Sequence, residues 1–317
     1  MIIIPGGEYR MGSDAFYPEE RPVHSVSVRE FALDRQLVTN RQFARFVDAT
    51  GYVTVAERPL DAAQFPELVA EELLPGSLVF RPTTGPVDLG NWRAWWNWVP
   101  GASWRNPHGP ETGIEDKQEH PVVQVCFTDA SAYAAWAGKR LPTEIEWEFA
   151  ARGGLDGATY AWGDELHPDG QLMANNWQGK FPYLNSGASG WIGTSPVGQF
   201  PPNGLGALDM IGNVWEWTTS EFTDSHQMQG AEDATGTQSA GCAGGCSCGP
   251  ADTSQARDDV VAAAMKASPD SSSRRVTKGG SHLCAPEYCL RYRPAARSPQ
   301  TEDSATTHLG FRCAADV

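Results

Sequence analysis

The sequence predicts a globular protein in which short strands and a few helices are joined by an unusual amount of loop. Of its 317 residues, 33 are glycine and 23 are proline, and both residue types mark turns and end regular elements. Apolar residues recur at helical spacing in separate stretches of the first half of the chain. Helix signals then vanish between residues 158 and 222, where Gly, Pro, Asn and aromatic residues dominate.

The N-terminal region is predicted to form short strands and then to enter a helix. Within residues 1–38, the Ser-Val-Ser-Val alternation at 25–28 is typical of a strand, and the Pro-Gly-Gly that follows the first apolar residues marks a turn. Thr39 and Gln42 match a capping box, and apolar residues follow at helical spacing. We therefore expect a helix from about residue 40 to 49 that stops near Gly51.

A strand and two further helices are predicted in the middle of the chain. The apolar run at 122–127 is typical of a buried strand, in which Cys126 would be a core thiol, and Thr128 would cap the second helix. A third helix would begin after Thr143, which pairs with Glu146 as a capping box, and would end at the following pair of glycines. Its acids are interpreted as surface charges that complement the helix dipole rather than as catalytic groups: Glu144, Glu146 and Glu148.

Aromatic and oxygen-rich loops dominate the rest of the chain up to residue 222. Residues 52–120 are predicted to be mostly loop, with five tryptophans between Trp92 and Trp104. Because tryptophan combines a large apolar face with one donor, at least one of these rings is expected to line a cleft. The loops of 158–222 need more than regular hydrogen-bond ladders to hold them, and bound Ca²⁺ is one solution, since Asn, Asp and backbone oxygens are abundant there.

Residues 223–275 are interpreted as a largely disordered, low-complexity insertion. Gly, Ala, Ser, Thr and Asp dominate it and aromatic residues are almost absent, although a short helix is predicted around 260–266. Its cysteines could bind a soft metal or be incidental thiols in a linker: Cys242, Cys246 and Cys248. The second interpretation is favoured, because a structural zinc site needs a fourth ligand nearby.

The charge balance argues against several classes of partner. With 24 basic and 39 acidic residues, the formal net charge of −15 argues against nucleic acid and against anionic membrane surfaces. No apolar run is long enough to span a membrane and the first residues lack the features of a secretory signal, so a cytoplasmic location is expected. Seven cysteines cannot all pair within one chain, which favours free thiols for metal binding or catalysis.

The segment from Lys278 to Ala315 contains the main candidates for chemistry, Cys284 and Cys289. In an extended strand their sulfurs would lie roughly 16 Å apart on opposite faces, so joint action requires a bend. Pro286 between them makes a bend plausible. Two thiols brought together would form a nucleophile, a redox centre or a soft-metal site, whereas two thiols kept apart would be ordinary buried cysteines. Spacing alone leaves both interpretations open.

Several blocks of this sequence follow one another in an order that resembles the formylglycine-generating enzymes, also called sulfatase-modifying factors. The blocks are RMGS, RLPTEIEWEFAARGG, YAWGDE, ANNWQGKFP, PNGLGALDMIGNVWEW, KGGSHLCAPEYCLRYRPAARSP and HLGFRCAAD. The resemblance covers nearly the whole chain except 223–275, and its most specific block surrounds the two cysteines. It implies one compact α+β domain over residues 1–317 with little regular structure, related to C-type-lectin-like domains.

The resemblance also implies an activity and a cofactor. The reaction would be the O₂-dependent oxidation of a cysteine, within a Cys-x-Pro-x-Arg motif of an unfolded sulfatase chain, to Cα-formylglycine. Cu(I) would be held by Cys284 and Cys289, which agrees with its preference for few, soft ligands. The family's other catalytic positions match Ser281, Tyr288 and Trp215. By hydrogen bonding, Ser281 would orient the substrate or metal-bound oxygen, and Trp215 would shape a small apolar O₂ pocket. A monomer is expected.

Structural Ca²⁺ is implied by the same resemblance. One site would use Asp209, Gly212, Val214 and Glu216, partly through backbone carbonyls, and the other Asn175, Asn176, Ser189 and Trp191. This chain departs from the family pattern at Ser189, where an acid is usual. It departs again at His308, where asparagine usually precedes the LGFRC block. Cys313 is expected to be unpaired.

Two other functions remain open at the level of the sequence. A lectin-like module that kept the fold and lost the chemistry would bind a peptide or glycan through its tryptophan cluster without consuming O₂. A thiol–disulfide oxidoreductase would cycle Cys284 and Cys289 through a disulfide and would need no metal. The intact cysteine block argues against the first function, and a spacing that differs from CxxC argues against the second.

Overall fold

The computed structural model describes residues 1–63, 66, 69, 73–226 and 273–317. Most of the predicted insertion lies outside the described residues, and so do Cys242, Cys246, Cys248 and the helix predicted around 260–266. At the approximate C-terminal end of the predicted insertion, Arg274 and Arg275 already belong to a strand of the main sheet.

Short strands and three α-helices make up the regular structure of the described residues. The strands are β1 (Ile2–Ile4), β2 (Gly7–Met11), β3 (His24–Val28), β4 (Phe31–Leu33), β5 (Gly76–Phe80), β6 (Trp96–Pro100), β7 (Gly179–Lys180), β8 (Leu184–Asn185), β9 (Trp215–Glu221), β10 (Arg274–Lys278), β11 (Arg297–Thr301), β12 (Leu309–Gly310) and β13 (Ala314–Asp316). The helices are α1 (Asn40–Thr50), α2 (Phe127–Trp136) and α3 (Glu144–Arg152). Single 3₁₀ turns lie at Pro18–Glu20, Val55–Glu57, Trp92–Ala94 and Pro168–Gly170.

The main sheet has the strand order β11–β10–β9–β12. Its first three strands are antiparallel neighbours, and β12 runs parallel to β9. A second sheet, β1–β4–β13, pairs the first strand and the last strand with β4. The pairs β2–β3, β5–β6 and β7–β8 form separate two-stranded sheets. Short antiparallel sheets with a few helices confirm the α+β class and the expectation of little regular structure.

The predicted ends of α1 and α3 are confirmed. Thr39 and Thr143 each close a capping box with the residue three positions on. Gly51 and Gly153 end the same helices in the left-handed conformation, with φ of 67° and 60°. Glycine adopts this conformation without the steric cost that other residues incur, so both ends could be predicted from local sequence.

The strand predicted at 122–127 is wrong. This segment is buried but irregular, and Gln124 has a φ of 62°. The backbone N–H of Val122 donates to Val38, and that of Gln124 donates to Thr306. The segment therefore takes its hydrogen bonds from different parts of the chain instead of pairing with one strand.

The N-cap predicted for the second helix is also wrong. α2 begins at Phe127, and its N-cap is Cys126 rather than Thr128. The cause is Asp129, whose buried carboxylate accepts the backbone N–H of Cys126 at 3.0 Å. Cys126 itself is a fully buried, unpaired thiol, as expected of a core residue.

Glu144 and Glu148 of α3 are not the surface charges that the sequence predicted. Both residues are 0% exposed, and Lys278 Nζ lies 3.4 Å from the Glu144 carboxylate and 2.9 Å from that of Glu148. Arg297 pairs with Glu144, and Arg152 pairs with Glu148. The partners of these acids come largely from β10 and β11, so the first-turn charge pattern could not reveal them.

A large apolar cluster joins the sheets and the helices. Its buried members include Phe43, Phe46, Tyr133 and Phe311, whose rings contact one another at centroid distances from 5.3 to 6.4 Å. Trp215, Cys284 and Cys289 belong to the same cluster, so the candidate site is built on a packed support. None of the helices among the described residues has both the length and the apolar character needed to cross a membrane.

Candidate active site

The chain leaves β10 through two glycines that turn it toward the core. Gly279 and Gly280 have φ of 93° and 70°, and a Cβ on Gly280 would lie 2.9 Å from the backbone of a neighbouring segment. The turn buries Ser281, whose backbone N–H lies 3.4 Å from Cys284 Sγ. The Ser281 hydroxyl oxygen accepts the backbone N–H of Leu283 at 3.2 Å.

Two consecutive turns bring Cys284 and Cys289 together. The backbone N–H of Cys284 donates to the carbonyl of Ser281, and those of Tyr288 and Cys289 donate to the carbonyl of Ala285. As a result, the two Sγ atoms lie 3.1 Å apart, and neither cysteine is in a disulfide. The bend that joint action of the two sulfurs requires is therefore present.

The two thiols differ in their readiness to ionise. The residues are 2% and 8% exposed, and burial raises the pKa of Cys284. The hydrogen bond from Cys284 lowers the pKa of Cys289 to about 7, and the nearby Arg291 contributes to the same effect. One proton shared between two adjacent sulfurs makes Cys289 the first of the pair to become a thiolate.

Both cysteines line a cavity of about 430 Å³, a size typical of ligand sites. Its lining includes the aromatic side chains of Trp92, Trp96, Trp215 and Tyr288 and the polar side chains of Ser298, Gln300, Thr306 and His308. Ser281 lines it as well, so the structure brings all of the predicted catalytic residues to one space. Two rings of the 92–104 tryptophan cluster line this cleft, whereas Trp95 and Trp104 are fully buried.

Tyr288 and Trp215 are held in different ways. Tyr288 is 36% exposed and stacks on Phe181 with centroids 4.3 Å apart and an interplanar angle of 3°. Burial raises the pKa of Tyr288 to about 12, so it stays a neutral phenol. Trp215 begins β9, is 5% exposed, and donates its backbone N–H to the carbonyl of His308. The tryptophan is thus rigid, while the tyrosine forms part of the rim.

His308 lies beside Ser281 in the cavity lining. Its Nδ1 is 3.3 Å from the Ser281 hydroxyl oxygen, and its ring meets Trp96 edge to face at a centroid distance of 4.8 Å. Burial lowers the pKa of His308 to about 3, with a further contribution from nearby His282, so the ring is neutral near pH 7.

Comparison with known proteins identifies the family. The model for the sulfatase-modifying factor enzyme 1-like domain matches residues 1–317. A formylglycine-generating enzyme of Mycobacterium tuberculosis is 58% identical over 316 residues, which cover 100% of this chain and 97% of that protein. The chain belongs to the sulfatase-modifying factor family.

Two further similarities describe the breadth of this family and its fold. A bovine protein named inactive C-alpha-formylglycine-generating enzyme 2 is 38% identical over 321 residues, covering 99% of this chain and 87% of that protein. The solved structure of PvdO from Pseudomonas aeruginosa superposes with a TM-score of 0.60 at 22% identity, covering 99% of this chain and 93% of that one. The second similarity supports the fold alone, and the first shows that the family includes a member named as inactive.

Residues 16–20 form an N-terminal clamp on the segment that carries Cys289, and sequence reasoning missed it. Arg291 donates to the Glu19 carboxylate at 2.6 Å and lies over the Tyr17 ring at 3.8 Å. Arg291 also lines the cavity, so this contact with the clamp reaches the candidate site itself.

The second contact of the clamp is built around an ion pair whose two side chains are buried. Arg293 pairs with Glu20 through both of its terminal nitrogens, one of them at 2.8 Å, and its guanidinium lies 3.7 Å from the centre of the Phe16 ring. The sequence signal that could have revealed these contacts is charge complementarity. Two arginines lie at alternating positions after the second cysteine, and two adjacent acids lie near the N terminus.

The two sets of residues predicted for calcium meet where Asn175 contacts Gly212. Asn175 forms an isolated bridge with Gly212, and a Cβ on Gly212 would lie 2.5 Å from the Asn175 carbonyl oxygen. The backbone N–H of Asn213 donates to that same carbonyl at 2.8 Å. Val214 is fully buried, and because its side chain is apolar only its backbone carbonyl could bind a cation. The two predicted ligand sets therefore lie side by side.

The carboxylates of the first predicted calcium set are buried. Burial raises the pKa of Asp209 to about 6, although the backbone N–H of Gly198 donates to it. Glu216 accepts hydrogen bonds from Trp147 Nε1 at 2.9 Å and from Arg312 at 2.6 and 2.8 Å. The charge of Glu216 is thus matched within the protein, whereas Asp209 is a buried carboxylate that a cation would stabilise.

The residues of the second predicted calcium set differ from one another in burial and in hydrogen bonding. Asn175 Oδ1 is buried and has no hydrogen-bond partner among the described residues. Asn176 Oδ1 accepts from Gln178 at 2.9 Å, Ser189 is exposed with a φ of 50°, and Trp191 is half-buried. Asn175 therefore supplies the oxygen of this set that fits a cation best, since a buried acceptor without a donor is costly.

The donor set at the two cysteines fits a soft metal. In the part of the chain that the structure describes, no group of three or more His, Cys, Asp or Glu side chains is arranged to hold a metal ion. The two neighbouring thiols are soft donors, and Cu(I) accepts as few as two such ligands.

Proposed function

We propose that this protein oxidises a cysteine in the Cys-x-Pro-x-Arg motif of an unfolded sulfatase chain to Cα-formylglycine, with O₂ as the oxidant and Cu(I) as the cofactor. The observation that carries the proposal is the pair of unpaired thiols, 3.1 Å apart, in the lining of a ligand-sized cavity. The full-length similarity to a formylglycine-generating enzyme at 58% identity supports the same reaction.

Cys284 and Cys289 would hold the copper, which when bound supplies the activation of O₂. The protein's own part is to bind and orient the substrate. Rigid Trp215 shapes an apolar portion of the cavity, and Ser281 presents a hydroxyl beside Cys284. Holding the reacting sulfur and the catalytic groups in one small space removes much of the entropic cost of bringing them together.

Replacement of either cysteine tests the proposal. We expect Cys284→Ser and Cys289→Ser each to abolish conversion of a Cys-x-Pro-x-Arg peptide, measured by mass spectrometry of the aldehyde product. Metal-stripped wild-type protein should regain activity with one equivalent of Cu(I). Cys313→Ser, which alters a buried unpaired thiol outside the cavity lining, is the matched control. Full activity in either of the first two variants, or indifference to copper, would refute the proposal.

Two alternatives are decided by the same assays. A non-catalytic, lectin-like binding module is favoured by the family member named as inactive; it would bind the peptide without O₂ consumption. A thiol–disulfide oxidoreductase is favoured by the 3.1 Å separation of the sulfurs, which suits disulfide formation. That activity would persist when copper is chelated.

A further inference from the structure

The Ser281 hydroxyl lies between a cysteine of the candidate centre and an imidazole. The backbone N–H of Ser281 faces Cys284 Sγ at 3.4 Å, and its Oγ lies 3.3 Å from His308 Nδ1. Ser281 is 0% exposed as a residue, yet it lines the cavity together with His308. The direction of this hydroxyl group therefore decides whether the Ser281 oxygen faces the cavity as a hydrogen-bond donor or as an acceptor.

His308 is fixed firmly enough to set that direction. Its backbone carbonyl accepts the N–H of Trp215 at 2.8 Å, and its own N–H is 3.4 Å from Thr306 Oγ1. Its ring meets the Trp96 ring edge to face at a centroid distance of 4.8 Å. The backbone and the ring are both held, so the imidazole nitrogen stays beside the hydroxyl.

Proton counting then limits what the Ser281 oxygen can offer. A hydroxyl has one proton and two acceptor lone pairs, and the N–H of Leu283 occupies one lone pair. The Cys284 sulfur competes for the hydroxyl proton, since a hydrogen bond from the Ser281 side chain partly offsets the rise that burial causes in the pKa of Cys284. If His308 Nδ1 accepts that proton instead, the other lone pair remains for a group in the cavity. An incoming thiol can donate its S–H proton in a hydrogen bond, so the group that complements it is a hydrogen-bond acceptor.

His308 is too weak a base to remove that proton itself. Its pKa is lowered to about 3 by burial, whereas an ordinary thiol has a pKa of about 8.5. Proton transfer from such a thiol to this imidazole is therefore unfavourable. The role left to the ring is to hold a hydrogen bond.

We propose that His308 is a positioning residue, which accepts the Ser281 O–H at Nδ1 and so presents the Ser281 oxygen as a hydrogen-bond acceptor to the thiol of the substrate cysteine. This inference rests on the proposed function, because it assigns a role toward that function's substrate. Ser281 is the group that touches the substrate, and His308 acts through it.

The hydrogen bond can be observed without any catalysis. In metal-free protein labelled with ¹⁵N-histidine, we expect His308 Nδ1 to show the chemical shift of an unprotonated, hydrogen-bonded ring nitrogen, and we expect that signal to move in Ser281→Ala. A protonated Nδ1, or a signal unchanged in Ser281→Ala, would overturn the assignment. This measurement remains decisive even if the wild-type protein fails to convert the peptide, an outcome that would instead count against the proposed function.

A double-mutant cycle tests the catalytic consequence. We expect His308→Ala to lower kcat about tenfold, the effect of one lost hydrogen bond, with a smaller change in KM. His308→Asn, which retains an acceptor, should recover part of the loss. In the Ser281→Ala background, His308→Ala should have no further effect, because its partner is already gone. A loss that is independent of Ser281, or an unchanged kcat in His308→Ala, would overturn the proposal.

His120 provides a matched control. Like His308, it is a histidine with its Nδ1 beside a hydroxyl, Thr194 Oγ1 at 2.9 Å, and it also meets a tryptophan ring edge to face at 5.4 Å, but it does not line the cavity of the cysteines. His120→Ala should leave kcat unchanged. An equal loss of kcat in His120→Ala would show that the effect of His308→Ala is a general effect of losing a buried histidine, and would overturn the proposal.

Discussion

The contact between Arg293 and Glu20 is the most deeply buried link between the N-terminal clamp and the cysteine segment. The two side chains are 1% and 0% exposed, and both terminal nitrogens of the guanidinium meet the carboxylate. A buried pair of this kind adds little net stability compared with apolar residues, but removal of one partner leaves an uncompensated charge inside the protein. The clamp is therefore sensitive to the loss of a single acid.

We predict that Glu20→Gln lowers the free energy of unfolding by about 3–5 kcal/mol, because the Arg293 guanidinium would remain buried without a counter-charge. Urea denaturation at pH 7 measures the change. The double variant Glu20→Gln, Arg293→Met should recover part of the loss, since it removes the unpaired charge as well.

An exposed pair supplies the control for this measurement. Arg10 and Asp156 also form a salt bridge, at 2.8 Å, but their side chains are 58% and 47% exposed. Asp156→Asn should cost less than about 1 kcal/mol, because solvent screens such a pair. If Glu20→Gln proves no more costly than Asp156→Asn, the buried charge pair of the clamp does not stabilise the fold.

Among individual residues, the sequence revealed those site residues that lie together in one short block. Ser281, Cys284, Tyr288 and Cys289 lie within nine consecutive positions, and the structure places them in the lining of one cavity. Glu20 and Arg293 are 273 positions apart, and nothing local marks either of them as buried. Sequence reading therefore found the candidate centre but not the residues that hold it in place.

Helix α3 is joined to β10 and β11 by a network of buried charges. Burial alone would raise the pKa of Glu144, but Arg297 and Lys278 hold it well below its ordinary value. Burial acts on Glu148 in the same way, and there Lys278 and Arg152 lower the pKa. Lys278 is the last residue of β10, directly before the glycine turn that leads to Ser281, so this network anchors the start of the cysteine segment.

We predict that the stability of the protein depends on pH in the acid range through this network. Because the folded pKa values of Glu144 and Glu148 lie below the ordinary value of 4.5, the contribution to stability is fully present above that value. It is lost progressively as the pH falls from about 5 toward 3, where the unfolded chain takes up protons first. Urea midpoints measured between pH 7 and pH 3 should show a plateau followed by a fall.

Variants separate this network from general acid denaturation. Glu148→Gln should lower stability at pH 7, because Lys278 and Arg152 would lose a counter-charge, and should make the acid fall shallower. Glu111→Gln, at an exposed position, provides the comparison. An acid fall of the same steepness in Glu148→Gln and in the wild-type protein would exclude this carboxylate as its source.

At the scale of elements, prediction succeeded where the determinants are local. Thr39, Thr143 and their glycine stops fix α1 and α3, because a cap is made of neighbouring residues. The run at 122–127 failed as a strand because its backbone groups find partners in separate parts of the chain. For the same reason, the burial of the α3 carboxylates could not be predicted, because their partner on β10 lies 130 or more positions away in the sequence.

The whole molecule depends on contacts between distant parts of the chain. β1 and β13, from opposite ends of the sequence, both pair with β4, and β12 runs parallel to β9. No periodicity in the sequence indicates such pairings; the fold class was predicted through the resemblance of whole blocks. The same architecture leaves residues 158–214 with only the two-residue strands β7 and β8 and one 3₁₀ turn.

We predict that Ca²⁺ stabilises this loop-rich region and with it the entire fold. Asn175 Oδ1 is a buried acceptor without a partner among the described residues, and Asp209 is a buried carboxylate whose pKa is raised to about 6. A bound cation would stabilise both of these buried oxygen groups, since Ca²⁺ binds amide, carboxylate and backbone oxygens. A ligand that binds only the folded state at a hundredfold excess over its Kd adds about 2.7 kcal/mol.

Thermal unfolding tests this prediction. The Tm should rise with Ca²⁺ and fall with EDTA, and Mg²⁺ at equal concentration should have a smaller effect.

The variant Asp209→Asn refines the test. Because the pKa of Asp209 is raised in the folded protein, its ionised carboxylate destabilises the metal-free fold at pH 7. The variant should therefore match or exceed the wild-type Tm in EDTA and fall below it in saturating Ca²⁺. That crossing distinguishes a calcium ligand from an ordinary buried acid, for which Asp209→Asn would shift Tm in the same direction under both conditions. A wild-type Tm that does not respond to Ca²⁺ would show that these loops are held by their hydrogen bonds and packing alone.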